Sequence, residues 1–155
     1  MDGEVRELIH EFKYRGEHWL RRLFGESLYQ AFLIYYKNTP YKAIVPVPLS
    51  ARRLKERGFN QASELACYLS KKTHIPFCDC LCRKKDISSQ AGLSRSMRIK
   101  NVRGVFEMRR KSTTLVGDYL LIDDVLTTGS TTSACAGVLL QSGASAVDVL
   151  TIARA

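Results

Sequence analysis

Leu120-Leu121-Ile122-Asp123-Asp124-Val125-Leu126-Thr127-Thr128-Gly129-Ser130-Thr131-Thr132 is the stretch that decides the fold. With Tyr119 before it, the run Leu120, Leu121, Ile122 is too short for a helix and does not alternate. It reads as a strand buried on both faces. Two carboxylates, Asp123 and Asp124, arrive where such a strand should end. A turn rich in hydroxyls and glycine covers residues 127–132, and residues 133–140 support a small-residue helix. Strand, loop and helix in that order leave free backbone N–H groups at a helix N-terminus. Those groups, the helix dipole and the hydroxyls favour a phosphate, and Gly129 permits its close approach.

The turn is not a Walker loop, because GxxxxGK[ST] is absent and acids precede the turn where that motif has a lysine following it. Carboxylates beside a phosphate cradle repel the phosphate unless a polyol or a metal lies between. Ionised carboxylates only accept hydrogen bonds, so a ribose diol is a natural partner. The pattern therefore asks for a sugar phosphate, its diol on Asp123 and Asp124 and its 5′-phosphate on Thr127, Thr128, Gly129, Ser130 and Thr131. A strand-end Asp pair and a Thr helix cap are ordinary features taken singly; their spacing here makes them a site. These residues resemble the phosphoribosyl-pyrophosphate (PRPP) motif of type I phosphoribosyltransferases.

A chain of 155 residues suits one domain with one core. Its net charge of +9 is unevenly spread. Residues 52–111 hold 16 Lys/Arg against 5 Asp/Glu, a net +11, and the remainder holds 8 against 10, a net −2. That concentration argues for an anionic partner rather than a merely solvated face. The acidic start Met1-Asp2-Gly3-Glu4 leads into no signal-peptide core, and no apolar run reaches membrane-spanning length. Five cysteines without zinc-ribbon spacing fit a reducing, cytoplasmic setting better than a disulfide framework.

Val5, Leu8, Ile9 and Phe12 predict a helix ending at Gly16, and a second helix should turn Leu20, Leu23, Phe24, Ser27 and Leu28 to the core. Phe12-Lys13-Tyr14-Arg15-Gly16 reads as a helix end, with base-stacking or phosphate contacts as the alternative. Residues 43–47 read as the first core strand, with Pro46 and Pro48 near its exit because proline gives a sheet no N–H. Residues 49–61 read as a basic loop, and Ala62, Leu65, Ala66 and Leu69 mark the helix after it. Residues 77–82 look like a second strand carrying Cys78, Cys80 and Cys82 on one face. Steps of ~6.6 Å along that face are too wide for one zinc with Zn–S bonds of ~2.3 Å, so these are free, buried or half-buried thiols. Residues 83–104 are polar and basic with a short helix expected over 94–101; the resemblance to type I phosphoribosyltransferases implies a lid over the pyrophosphate, a basic surface loop being the alternative. Residues 105–108 and 115–122 are expected strands around a turn, and residues 146–152 supply another. The whole predicts an α/β domain, a mainly parallel twisted sheet flanked by helices, with ligand at the strand C-termini.

Several words sharpen the resemblance: Val45-Pro46-Val47-Pro48-Leu49, Arg57-Gly58-Phe59-Asn60-Gln61, and the spaced set Gln90, Gly92, Leu93, Ser94, Arg98, Asn101, Val102, Arg103, Gly104 and Phe106. With residues 12–16 and 150–155 they resemble the ComF family of phosphoribosyltransferase-like competence proteins. Many of that family begin with a four-cysteine zinc module, whereas the first cysteine here is Cys67. The resemblance implies a five-stranded type I phosphoribosyltransferase core over residues 43–155 and a hood from the helices of residues 1–37. It implies PRPP with Mg²⁺, the pyrophosphate lying on Ser50, Ala51, Arg52 and Arg53, and Arg95 and Arg98 stabilising the leaving group. The resulting expectation is ribose 5-phosphate transfer to an acceptor with pyrophosphate release, in the setting of the competence machinery. The alternatives are a single-stranded DNA-binding factor using Lys55, Arg57, Phe59, Lys84 and Lys85, and a regulator that senses PRPP without turnover.

Overall fold

The structure, a computed structural model, describes residues 3–15, 18–84, 104–110 and 114–154. In chain order the elements are α1 (Gly3–Arg15), α2 (His18–Tyr35), β1 (Ala43–Pro46), α3 (Ala51–Arg57), α4 (Gln61–Thr73), β2 (Leu81–Arg83), β3 (Phe106–Met108), β4 (Asp118–Leu126), α5 (Ser130–Gln141) and β5 (Ala146–Arg154). Strands β1, β4 and β5 form a parallel sheet in the order β1-β4-β5, while β2 and β3 pair antiparallel.

β4 is the middle strand, and its apolar run explains why. Leu120 and Ile122 pack on one face with Leu20, Phe24 and Leu28 of α2 and Leu65 and Leu69 of α4. Tyr119 and Leu121 pack on the other face with Cys135 and Leu139 of α5 and with Phe106 and Met108 of β3. A strand with helices on both sides has no solvent face, hence no alternation in its sequence. Helices therefore flank a parallel sheet, as expected.

Pro46 ends β1, and Val47 N–H then donates to Ile122 O at 2.9 Å. On its outer edge β1 is bridged at Ile44, which exchanges backbone bonds with Pro76 and Cys78. Pro46 faces that same edge two residues beyond the bridge, so its missing N–H breaks no pairing there.

Four expectations are corrected. Residues 49–61 are not simply a loop: Ser50 caps α3, its Oγ accepting from Arg53 N at 3.3 Å, and Gly58 closes it with φ 80°. This helix buries no residue, so it has no apolar stripe for periodicity to detect. Leu23 is 45% exposed and Ser27 is exposed, because the buried ridge of α2 runs Leu20, Phe24, Leu28, Phe32 at i, i+4 spacing. Residues 77–82 are not one strand. Cys78 N–H bonds to Ile44 O of the main sheet, whereas Cys80 O accepts from Arg109 N beyond the end of β3. The segment changes partners midway, each backbone group finding whichever ladder is adjacent. Finally, α5 starts at Ser130 instead of residue 133, and β4 continues through the acids to Leu126.

Candidate functional site

β1 and β4 run parallel and leave the sheet at the same end, β1 at Pro46 level with Ile122 and β4 four residues further on at Leu126. Ser50, Ala51, Arg52 and Arg53 leave β1 there, and Thr127, Thr128, Gly129, Ser130 and Thr131 follow β4 at the same sheet edge. Asn60 fastens the first of these excursions: its Oδ1 accepts from Ala62 N at 3.1 Å as the cap of α4, and its Nδ2 donates to Val47 O at 3.0 Å. Carboxyl ends of adjacent parallel strands are where α/β sheets hold ligands.

Gly129 is the N-cap of α5 at φ 74° and brings no side chain of its own to cap it, while Thr128 Oγ1 accepts from Ser130 N at 3.4 Å. A Cβ at Gly129 would meet Leu126 and Thr132 at no less than 3.9 Å, so the left-handed backbone, not crowding, favours glycine there. Thr128 Oγ1 lies 2.8 Å from Ser130 Oγ, and the buried Thr132 donates its hydroxyl to Gly129 O at 3.0 Å. The helix thus opens with Ser130, Thr131, Thr132 and Ser133, hydroxyls ranged around an N-terminus that carries the positive end of the dipole.

Asp123 and Asp124 lie within the paired length of β4. Each carboxylate folds along the strand: Asp123 Oδ1 accepts from Asp124 N at 2.9 Å, and Asp124 Oδ1 from Val125 N at 2.7 Å. Strand alternation sends them to different sides. Asp124 meets Lys13 of α1, Nζ to Oδ2 2.9 Å, and Asp123 faces α5, where its charge helps push the Cys135 thiol, already raised by burial, to about 12. Burial foremost, and then the charge of Asp124, pushes the Asp123 carboxyl up to about 7.

That shift has a measurable consequence. The folded protein binds the Asp123 proton more tightly than the unfolded chain, whose aspartates titrate near ~3.9. Between those values the native state holds more protons, so this group's contribution falls as pH rises from about 4 through about 7. Asp123→Asn should therefore gain stability over the unmodified protein at pH 8 relative to pH 5. Urea midpoints of both proteins at the two pH values would show it; an equal difference at both would refute the buried, high-titrating carboxyl.

Of the basic residues, Arg52 is exposed and ion-paired with Glu56 one turn on, Nε to Oε1 3.0 Å, while Arg53 and Lys55 are exposed. Arg57 instead donates to Gln61 Oε1 at 3.0 Å, and Lys84 stands 3.8 Å from Glu107. Phe59, read as a stacking surface for bases, is partly buried with its ring edge-on to Phe12, centroids 6.1 Å apart. Much of that ring is committed to the core. Lys85, Arg95 and Arg98, the expected lid and the helix over 94–101 lie outside the described residues. Cys78 and Cys80 are half-buried free thiols, and burial, followed by Cys78, raises Cys80 to about 12. A thiol so raised is a poor nucleophile and ligand at neutral pH. Among the described residues no three His, Cys, Asp or Glu side chains gather into a metal-binding group, and no helix is long and apolar enough to cross a membrane.

Two residues of the site carry no sequence signal of their role. Lys13 reaches Asp124 from α1, and Gln61, only 2% exposed, donates its Nε2 to Lys13 O at 3.1 Å. Both stand inside the sequence words at residues 12–16 and 57–61, but periodicity reads them as polar helix positions.

The chain matches no model of a known protein family. It is 33% identical over 153 residues to Competence protein F of Haemophilus influenzae, aligning 96% of this chain with 67% of that protein. This chain belongs to the competence protein F (ComF) family. Other relatives of this ComF-family chain are Competence protein ComFC of Bacillus subtilis, 30% identical over 97% of the chain and 60% of the relative, and DNA utilization protein YhgH of Escherichia coli K12, 33% over 95% and 66%. The ComF-family chain thus spans 60% to 67% of the lengths of these relatives. Among solved structures it is similar to orotate phosphoribosyltransferase from Aeropyrum pernix (TM-score 0.52, 12% identity, 90% of this chain, 73% of that one). Adenine phosphoribosyltransferase from Rhodothermus marinus gives TM-score 0.52 at 18% identity, over 90% of this chain and 82% of that one. Such likeness establishes the fold, that of type I phosphoribosyltransferases.

Proposed function

We propose that this protein binds PRPP and transfers its ribose 5-phosphate to an acceptor, in the service of DNA uptake or use. One observation carries the reading: the acid pair on β4 is followed, across Val125–Thr128, by a helix that starts at left-handed Gly129 among hydroxyls. Asp123 and Asp124 would accept the diol hydroxyls, and Thr127, Thr128, Gly129, Ser130 and Thr131 would donate to the 5′-phosphate. Ser50, Ala51, Arg52 and Arg53 would hold the pyrophosphate, with Arg95 and Arg98 neutralising it as it departs. The bond from ribose C1 to pyrophosphate breaks with its electron pair leaving on oxygen, and a bond from the acceptor to C1 forms. No nucleophilic side chain is required, since positioning and charge stabilisation suffice.

Mg²⁺ fits this arrangement as a companion of the ligand, since magnesium keeps its waters and is commonly held through substrate phosphates rather than an all-protein cage. When bound it neutralises the leaving pyrophosphate.

The names of the relatives favour a second use of the same face. Arg52, Arg53 and Lys55 are exposed on α3, where they suit the phosphates of single-stranded DNA. Calorimetric titration with PRPP–Mg²⁺, followed by pyrophosphate release across candidate acceptors, tests the first reading. Binding with release supports transfer; binding without release under every acceptor points to a PRPP sensor; no binding overturns the proposal.

A further inference from the structure

Lys13 stands at the end of α1, yet its placement is fixed by three other elements. Phe12, 1% exposed, is wedged edge-on between Phe24 of α2, centroids 5.4 Å apart, and Phe59 before α4. The carbonyl of Lys13 accepts from the buried Gln61 amide, whose oxygen is in turn held by Arg57. A buried amide satisfied at both ends locates the chain it touches. From there the Lys13 ammonium spans to Asp124 Oδ2 at 2.9 Å, with side chains only 23% and 16% exposed. The surface pair Arg52–Glu56, at 81% and 52%, lies in water and is strongly screened; the Lys13 pair is screened far less.

We propose that Lys13 is a positioning residue of the sugar-phosphate site, fixing the Asp124 carboxylate as a diol acceptor and offsetting the acid pair's charge beside the ligand's phosphate. This rests on the PRPP reading given above. Two adjacent carboxylates next to a phosphate loop repel the ligand that the loop attracts, and a fixed ammonium removes one of those charges without displacing the diol. Asp124 keeps acceptor capacity: Oδ2 takes Lys13 and Oδ1 takes Val125 N, and each carboxylate oxygen has two lone pairs.

Among the described residues, the charged and titratable groups around Asp123 are Asp124 on β4, Lys13 on α1 and Cys135 on α5, the last also sensing Arg83 of β2. Lys13 draws the Asp123 carboxyl downward, against burial and Asp124. Removing the ammonium should therefore move the ionisation of Asp123 to higher pH.

The test titrates the full chain and the variants Lys13→Met, Lys13→Arg and Asp124→Asn with PRPP–Mg²⁺ and with ribose 5-phosphate, from pH 6 to pH 9. Lys13→Met should weaken both ligands at least tenfold at pH 7, and the rise of affinity with pH should have its midpoint above that of the unmodified protein. Lys13→Arg should restore most of the affinity and the original midpoint. The ligand's own phosphate titrates identically in every case, so the displacement belongs to the protein. If the unmodified protein binds and Asp124→Asn weakens it while Lys13→Met does not, the inference on Lys13 fails and the PRPP reading stands. A pH-independent loss shared by the Met and Arg variants reduces Lys13 to a packing role and also overturns the inference. If the unmodified protein binds neither ligand at any pH, both fall.

Discussion

Replacing Asp123 and Asp124 together by Asn should weaken PRPP–Mg²⁺ binding by two orders of magnitude or more at pH 8. Hydrogen bonds to a charged acceptor contribute ~1.5–3 kcal/mol each before coupling, and two of them convert to at least ~10²-fold in affinity. The loss should be smaller at pH 6, where Asp123, titrating at about 7, is mostly protonated in the unmodified protein. Single-stranded DNA should bind the double variant equally or slightly better, because these carboxylates repel its phosphates. Charge reversal at Arg52 and Arg53, by contrast, should weaken both ligands. It should also flatten the salt dependence of DNA binding, by ~0.7 in log–log slope for each single-strand phosphate that the variant no longer neutralises. Paired titrations of both variants with PRPP–Mg²⁺ and a short oligonucleotide at two salt concentrations separate the readings. Unchanged PRPP affinity in the Asn variant would defeat the diol assignment.

Phe12→Ala should cost about 3–5 kcal/mol of stability, the range for truncating a buried aromatic. Phe12 is 1% exposed and is the middle ring of the series Phe24–Phe12–Phe59, which joins α2 to the segment before α4. Against a net stability of ~5–15 kcal/mol for a domain, that is a large share. Because Lys13 follows Phe12 in the chain, the same cavity should loosen its reach to Asp124 and lower ribose 5-phosphate affinity even where the variant remains folded. Urea unfolding at 15 °C, with ligand titration at the same temperature, measures both. A stability loss under about 1 kcal/mol would show that α1 is not anchored through this ring.

The α/β class, the parallel sheet around residues 120–122 and the hydroxyl turn after its middle strand were legible in the chain, whereas the acids lie within the paired strand and not at its end. Each depends on local order: an unalternating apolar run is a strand covered on both sides, and a hydroxyl-rich glycine turn marks its exit. The C-terminal strand and the helix carrying Leu65 and Leu69 were legible for the same reason. Helix α3 escaped because all its residues face solvent or the site, so no hydrophobic period exists to be read. The partner change at residues 77–82 escaped because an extended backbone looks alike whichever ladder it joins. Lys13 escaped for a deeper reason. A lysine one position past a buried phenylalanine is an ordinary surface residue until folding brings a carboxylate 111 positions away in the sequence to 2.9 Å from it. Motif chemistry is encoded by near neighbours in sequence, whereas ion pairing between α1 and β4, the burial that lifts Asp123, and the locking of Lys13 by Gln61 exist only once distant segments pack and exclude water.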